Sequence, residues 1–242
     1  MKKYSKLAVA LLMGCCLLQA GQALADTYTT LYFDDNTLYF PDADPSKGAL
    51  PSTESSPPYV TGMYVTVDDQ THMLQSIQVI ADSSSYLNWN NLLIDTNGST
   101  YGDWDYLVHS GGTQSDPYGF VSPVDNGVYT VAPGYNYTYG LFDQGQPNGI
   151  KATDLTLKDS TITGVQTGSG PYTLTYDLSS LDIVVTSDFV IGWVSFCGND
   201  PMLAYGGKGE VVPNPEPATM MLFGMGMASL AGWRARQAKK KK

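Results

Sequence analysis

The fold class follows from one stretch of the chain, Tyr-Thr-Leu-Thr-Tyr-Asp-Leu at residues 172–178. Apolar and aromatic residues occupy every second position there, with threonine or aspartate between them, which is the period of a β-strand with one buried face. Strand-like patterns recur on both sides of it, at residues 31–33, 38–40, 63–67, 74–80, 106–109, 128–131, 135–141, 155–157 and 183–196. Turn-forming Asn, Asp, Gly and Pro lie between these segments. The pattern therefore predicts an all-β fold.

The number of strands predicts the architecture. About ten short strands in one domain, residues 26–205, favour a two-sheet sandwich of jelly-roll type. No segment between Asp26 and Pro217 shows the 3.6-residue apolar period of an amphipathic helix. The 17 Tyr, 4 Trp and 7 Phe of the chain supply enough apolar surface for a core, which argues against intrinsic disorder.

The charge of the central part excludes one class of function. Residues 26–217 carry all 23 carboxylates of the chain but only four lysines, so their formal charge is −19. Nucleic-acid binding requires a cluster of Lys and Arg on the folded part of a protein, and this part has none. We therefore expect no nucleic-acid partner and a surface that repels polyanions.

The N-terminus has the three parts of an export signal. Three lysines precede the apolar segment 7–18, and Ala23 and Ala25 place small residues at the positions that signal peptidase recognises. The pattern predicts a signal peptide at residues 1–25, which signal peptidase removes before Asp26. An alternative stays open, because Leu-Met-Gly-Cys at residues 12–15 has the form of a lipobox, which would make Cys15 a lipidation site.

The C-terminus has three successive parts of its own. A Gly/Pro-rich linker, residues 206–217, ends in Pro-Glu-Pro, and prolines at this density hold a chain extended. Residues 218–233 carry no charge and predict a short transmembrane helix. The basic residues in 234–242 predict a cytoplasmic tail by the positive-inside rule. The order of these parts places the acidic domain outside the membrane, and the shortness of the helix suits a transient anchor in the inner membrane.

This tail resembles the PEP-CTERM sorting signal, found on exported proteins of Gram-negative bacteria that make exopolysaccharide. Pro215, Glu216 and Pro217 match the family's Pro-Glu-Pro motif, and the apolar segment and the basic end follow in the family's order. The resemblance implies that an exosortase, a polytopic membrane enzyme, recognises and cleaves the tail. It also implies that the mature protein is secreted or transferred to the cell surface.

The sequence does not indicate a catalytic or metal-binding residue. His72 and His109 lack the context of a Ser-His-Asp triad or of a zinc site. We therefore assign no catalytic residue and no metal ligand, and expect neither enzymatic activity nor a cofactor. One alternative is Ca²⁺, since residues 95–98 and 103–105 cluster the carboxylate and amide oxygens that this ion prefers.

Aromatic residues in a polar, Gly-rich stretch indicate a binding role. Trp89, Trp104 and Tyr106 lie in such a stretch, and sugar rings stack on side chains of this kind. The alternative is that these rings fill the core. We favour a structural or adhesive role in the envelope or the biofilm matrix. The second hypothesis is an exopolysaccharide-binding module that uses these three rings as a platform, and the third is a polysaccharide hydrolase.

Overall fold

The described part of the chain lies within one folded unit. The computed structural model describes residues 28–35, 40–41, 43, 46, 59–84, 87, 89–98, 102–111, 125–139, 147–195, 198 and 201–212. The chain divides into two units, and Tyr28–Val212 is the unit that contains these residues. The predicted signal peptide, transmembrane helix, basic tail and Pro-Glu-Pro motif lie outside the described residues.

Fourteen β-strands form three antiparallel sheets among the described residues. In chain order they are β1 (Tyr28–Asp34), β2 (Val60–Asp68), β3 (Leu74–Ala81), β4 (Asn90–Asp95), β5 (Tyr106–Ser110), β6 (Gly127–Val131), β7 (Tyr137–Tyr139), β8 (Pro147–Ile150), β9 (Leu155–Asp159), β10 (Val165–Thr167), β11 (Tyr172–Asp177), β12 (Val190–Ser195), β13 (Met202–Tyr205) and β14 (Glu210–Val212). The first sheet has the order β10-β11-β3-β2-β1-β14, and the second has the order β13-β12-β4-β5-β6-β9. Strands β7 and β8 form a separate antiparallel pair.

Both large sheets contain the strand order of a Greek key. In the first sheet, β1, β2 and β3 are neighbours in chain order, and β14 returns to lie beside β1. In the second sheet, β4, β5 and β6 are neighbours, and β12 returns to lie beside β4. The predicted all-β sandwich is confirmed. The sandwich is not a jelly roll. A jelly roll has eight strands that form two Greek keys, whereas this domain has two six-stranded sheets, and each sheet contains a complete Greek key of its own.

The first core lies between the two large sheets and follows from the alternation in the sequence. Strands β2, β3 and β11 turn every second side chain inward, and these side chains are almost fully buried. Among them are Met63, Val65, Leu74, Ile77, Val79, Leu174 and Tyr176. The threonine and glutamine residues between them point to the other side of the first sheet, because successive side chains of a strand alternate in direction.

A buried hydrogen-bond network ties the two sheets together across this core. The hydroxyl of Tyr176, on β11, donates to the side-chain carbonyl of Asn90, on β4. The indole Nε1–H of Trp193, on β12, donates to the same hydroxyl at 2.9 Å, and Asn90 Nδ2 donates to the carbonyl of Leu87 at 2.6 Å. Because Tyr176 is fully buried, desolvation raises the pKa of its phenol. The network therefore joins one strand of the first sheet to two strands of the second.

The central strands of the second sheet are buried on both faces. Every residue of β4 and β12 is buried. The outward side chains of this sheet meet the β7–β8 pair and form part of a second core. This core consists of Phe40, Leu93, Trp104, Leu107, Tyr129, Ile150, Val190, Val194 and Leu203. The described part of the domain therefore has three layers, namely the first sheet, the second sheet and the β7–β8 pair.

The domain extends further towards the C-terminus than we predicted. We assigned residues 206–217 to a linker, but Gly206–Lys208 forms a 3₁₀ turn and β14 pairs with β1 in the register Tyr32 to Glu210. The domain therefore continues through Val212. A second 3₁₀ turn, Ala152–Asp154, precedes β9. Within the described ranges, no helix has the length and the apolarity needed to span a membrane.

Candidate functional site

Trp104 belongs to the second core. Its side chain is 3% exposed, and its ring centroid lies 6.4 Å from that of Phe40. Gly192 lies beneath both rings, since a Cβ built there would be 3.1 Å from Trp104 Cη2 and 3.2 Å from Phe40 Cζ. Because the ring is almost fully buried, it has no open face on which a sugar could stack. Its geometry supports the alternative interpretation, in which this tryptophan fills the core.

The indole of Trp104 is also held by a hydrogen-bond chain. Its Nε1–H donates to the Tyr137 hydroxyl at 2.9 Å, and the hydroxyls of Tyr137 and Tyr135 lie 3.1 Å apart. The Tyr135 hydroxyl donates to the carbonyl of Gly102, and the two tyrosine rings meet edge to face with centroids 5.2 Å apart. These contacts fasten the segment that leads into β7 to the loop that precedes β5.

The structure does not bring the three predicted platform residues onto one surface. Tyr106 packs against the first core and carries the Lys158 ammonium 5.7 Å from its ring centroid, whereas Trp104 lies in the second core. The two rings are thus on opposite faces of the second sheet. Trp89 is half-buried and stands immediately before β4.

The acidic residues proposed for Ca²⁺ are used to build turns. Asp95 Oδ1 accepts from the backbone N–H groups of Asn97 and Gly98 at 3.0 and 2.8 Å, and Asp105 Oδ2 accepts from the backbone N–H of Thr96 at 2.8 Å. Gly98 has a φ of +56°, and a Cβ there would overlap the carbonyl of Asp188. Among the residues that the structure describes, no group of three or more metal-ligating side chains is arranged to hold a metal ion.

The environment of Asp95 raises its pKa. The side chain is fully buried, and desolvation is the largest cause. The negative charges of Asp105 and Asp103 add to it, while the two backbone N–H donors act in the opposite direction. This carboxyl therefore holds its proton to a higher pH than an exposed aspartate does.

His109 forms part of a buried structural network. Its Nδ1–H donates to Asn91 Oδ1 at 2.8 Å, and Asn91 Nδ2 donates to the carbonyl of Asn148, on β8. His109 is 6% exposed. The network fastens β8 to the second sheet. His72 lies in the turn between β2 and β3 with a φ of +57°, and its backbone N–H donates to the carbonyl of Asp68.

The structure shows one pair of aromatic residues that the sequence pattern does not reveal. Tyr32 and Tyr64 face each other across β1 and β2 on the outer side of the first sheet, with ring centroids 4.9 Å apart and planes inclined by 44°. Both keep part of their surface in solvent. The alternation of β1 and β2 would have placed them on the polar face, but strand pairing was needed to show that they are neighbours.

A comparison with protein families identifies the tail. Residues 215–237 match the family model for the PEP-CTERM protein-sorting motif, a span that includes Pro-Glu-Pro, the apolar segment and the start of the basic end. The resemblance noted in the sequence is thereby confirmed, and the motif implies exosortase-targeted sorting to the cell surface. No curated protein and no solved structure matched the chain.

Proposed function

We propose that this protein, which carries a PEP-CTERM sorting motif, is a non-enzymatic structural or adhesive component of the envelope or biofilm matrix. In this proposal the signal peptide directs export, and residues 218–233 anchor the chain in the inner membrane as a helix. An exosortase then processes the tail, so that the acidic domain reaches the cell surface or the medium. The sorting motif behind a folded β-domain is the observation that carries the proposal.

The polar groups of the described domain support a structural role. His109 and Asn91 connect β8 to the second sheet, and Tyr176 and Asn90 connect the two large sheets. These groups are buried and mutually hydrogen-bonded, which stabilises the fold and withdraws them from a substrate. A matrix protein needs a rigid domain of this kind more than it needs reactive side chains.

Three half-buried aspartates with lowered pKa values support a role outside the cell. Backbone and side-chain hydrogen bonds from Thr71 lower the pKa of Asp68, and those from Asn136 lower the pKa of Asp154. The side-chain and then the backbone hydrogen bonds of Thr161 do the same for Asp159. The domain therefore keeps its negative charge in mildly acidic surroundings, and charge repulsion keeps it soluble.

The length of the apolar segment fits a temporary anchor. Sixteen residues span about 24 Å as a helix, against about 30 Å for the hydrocarbon core of a bilayer. Trp233 at the interface and the following basic side chains extend this reach, since long cationic side chains direct their charge to the headgroups. We infer a helix that holds the protein until the tail is cleaved.

The mature C-terminus tests this proposal. Mass spectrometry of the protein from its host should show a chain that lacks Lys242, whereas a host without its exosortase should retain that residue. Pro215→Ala together with Pro217→Ala should block processing, while Pro213→Ala, in the same linker but outside the matched residues, should not. Retention of Lys242 in both hosts would contradict the sorting mechanism.

The absence of catalysis is tested separately. Incubation of the purified protein with the host's exopolysaccharide should release no reducing ends. Release above the level of a heat-denatured sample would favour the third hypothesis, a polysaccharide hydrolase, over a structural protein.

A further inference from the structure

The outer face of the first sheet, the side opposite the first core, carries side chains in regular rows. The register of the strands aligns one row across all six of them, namely Glu210, Tyr32, Tyr64, Gln78, Thr175 and Val165. Strands lie about 4.8 Å apart, so this row is about 24 Å long. The parallel row on one side consists of Val212, Thr30, Thr66, Ser76 and Asp177. The rows form a broad, polar surface with two aromatic rings at its centre.

The two tyrosine rings are held in place. The Tyr32 hydroxyl donates to Asp34 Oδ1 at 3.2 Å and lies 3.4 Å from the carbonyl of Thr61. The outer end of the Tyr32 ring lies over Gly62, where a Cβ would be only 2.7 Å from Tyr32 Cε2. The glycine thus lets the ring lie along the sheet beside Tyr64. A ring that is already ordered loses little conformational entropy when a ligand stacks on it.

The face remains partly open to solvent. The central side chains of the row, Tyr32, Tyr64, Gln78 and Thr175, are only half-buried. By contrast, the β7–β8 pair covers the outer side of the second sheet. The six strands of the first sheet contain no lysine or arginine, and Glu210, Asp34 and Asp177 are acidic.

The side chains of this outer face favour one class of ligand. Aromatic rings stack on the apolar faces of sugars, and amide and hydroxyl groups exchange hydrogen bonds with sugar hydroxyls. Anionic polymers are repelled by the carboxylates and meet no cation in these strands. A second copy of the chain brings the same negative charge, which disfavours self-association through this face.

We propose that the outer face of the first sheet binds a neutral polysaccharide, with Tyr32 and Tyr64 stacking on sugar rings and Gln78 and Thr175 binding sugar hydroxyls. The surface differs from the predicted platform of Trp89, Trp104 and Tyr106. It goes beyond the proposed structural role, because it supplies a contact through which the domain attaches to a matrix, and it is independent of the sorting tail.

The test measures binding by the full-length chain, purified in a non-ionic detergent. Affinity electrophoresis in gels containing hydroxyethyl cellulose, dextran, galactomannan or xylan should show retardation by at least one neutral polymer. Carboxymethyl cellulose and dextran sulfate serve as charged counterparts and should retard the protein less. Binding to none of the neutral polymers, or stronger binding to the charged ones, would overturn the proposal.

Variants locate the site. Tyr32→Ala and Tyr64→Ala should each weaken binding by at least about tenfold, as truncation of a central aromatic anchor does. Tyr64→Phe, which keeps the ring, should retain most of the affinity. Tyr59→Ala removes an exposed tyrosine outside the row and should leave binding unchanged. Equal loss in Tyr59→Ala and Tyr64→Ala, or no loss in Tyr32→Ala and Tyr64→Ala, would refute the assignment of the face.

Two further measurements separate the alternatives. Circular dichroism and thermal unfolding verify that each variant is folded, and sedimentation velocity of the parent and of Tyr64→Ala detects self-association. If the parent forms a dimer that dissociates in Tyr64→Ala, the outer face of the first sheet binds a second copy of the chain and the polysaccharide proposal is wrong. Because binding is measured without an exosortase, a negative result here leaves the sorting mechanism intact, and a failure of sorting leaves this proposal intact.

Discussion

The outer faces of the two large sheets differ in what covers them. The first sheet shows threonine, glutamine and tyrosine side chains to solvent, whereas the second sheet carries Leu93, Leu107 and Val194 beneath the β7–β8 pair. Both sheets have the same antiparallel construction. Their difference shows that the outer side chains decide whether the outer face of a sheet stays open to solvent or becomes an internal layer, because apolar surface is stabilised by leaving water.

Two glycines allow the covering layer to approach closely. A Cβ at Gly192 would be 3.1 Å from Trp104, and a Cβ at Gly149, on β8, would be 2.7 Å from Asn91 Nδ2. One glycine lies in the second sheet and the other in the cover. A neighbouring side chain can lie this close to a backbone only where the residue has no side chain of its own.

The largest expected effect tests the covered face. Trp104→Ala should lower the free energy of unfolding by about 3–5 kcal/mol, because it removes a buried ring and leaves a cavity between Phe40 and Gly192. Tyr64→Ala, on the open face, should lower it by less than about 1 kcal/mol. Urea unfolding followed by circular dichroism measures both. Equal losses in the two variants would mean that the two faces are equally important for stability.

A smaller effect tests the attachment of β8. Asn91→Ala should lower the free energy of unfolding by about 1–3 kcal/mol, because it removes the amide that joins His109 to the carbonyl of Asn148 in a buried site. Gln78→Ala makes a comparable truncation on the open face and should change stability by less than about 0.5 kcal/mol. The comparison would fail if the glutamine variant lost as much stability as the asparagine variant.

The smallest effect concerns two aspartates that make the same turn at the ends of strands in different sheets. Asp68 accepts from the N–H groups two and three residues on, as Asp95 does. Hydrogen bonds lower the pKa of half-buried Asp68, whereas desolvation raises the pKa of fully buried Asp95. The contribution of Asp95 to stability is thus present at low pH and lost as the pH rises through its raised pKa. That of Asp68 is present at neutral pH and lost as the pH falls through its lowered pKa.

Variants separate these two contributions. The stability of Asp95→Asn relative to the parent should increase as the pH rises from about 3 to about 7, and that of Asp68→Asn should decrease over the same range. Urea unfolding at a series of pH values measures both differences, and contributions from other groups cancel because each variant is compared with the parent. Slopes of the same sign would show that burial does not control these carboxyls.

The predicted segments include four strands of each large sheet, and the missed strands show what the sequence pattern lacks. Strands β2, β3 and β11 alternate, because one face of each meets the core and the other meets water. Strand β4, with Leu-Leu-Ile at residues 92–94, has no such alternation and was not predicted. A strand buried on both sides has lost the pattern by which a strand is recognised.

Short edge strands were missed for a different reason. Strands β10 and β14 have three residues each, too few for a period to show, and they are defined by their partners β11 and β1. For the same reason residues 210–212 were assigned to a linker. Pairing between residues far apart in sequence supplies what local composition lacks.

The aromatic residues show where prediction from sequence reached its limit. Trp104 is a candidate platform residue in the second hypothesis because its neighbours are polar, and its ring instead fills the gap above Gly192, as the alternative interpretation expects. Tyr32 and Tyr64 lie 32 positions apart in the sequence and become neighbours only through the pairing of β1 with β2. Local alternation places each tyrosine on the polar face of its strand, but no local pattern shows that the two rings are neighbours.

By itself the sequence determined the all-β class, the acidic character of the domain and the sorting motif at residues 215–237. These properties depend on period, on composition and on contiguous residues, and all three are local. Only the tertiary structure decided that Trp104 is covered and that Tyr32 and Tyr64 share an open face. Burial depends on which distant strand packs over a side chain, and that is a property of the assembled sheets.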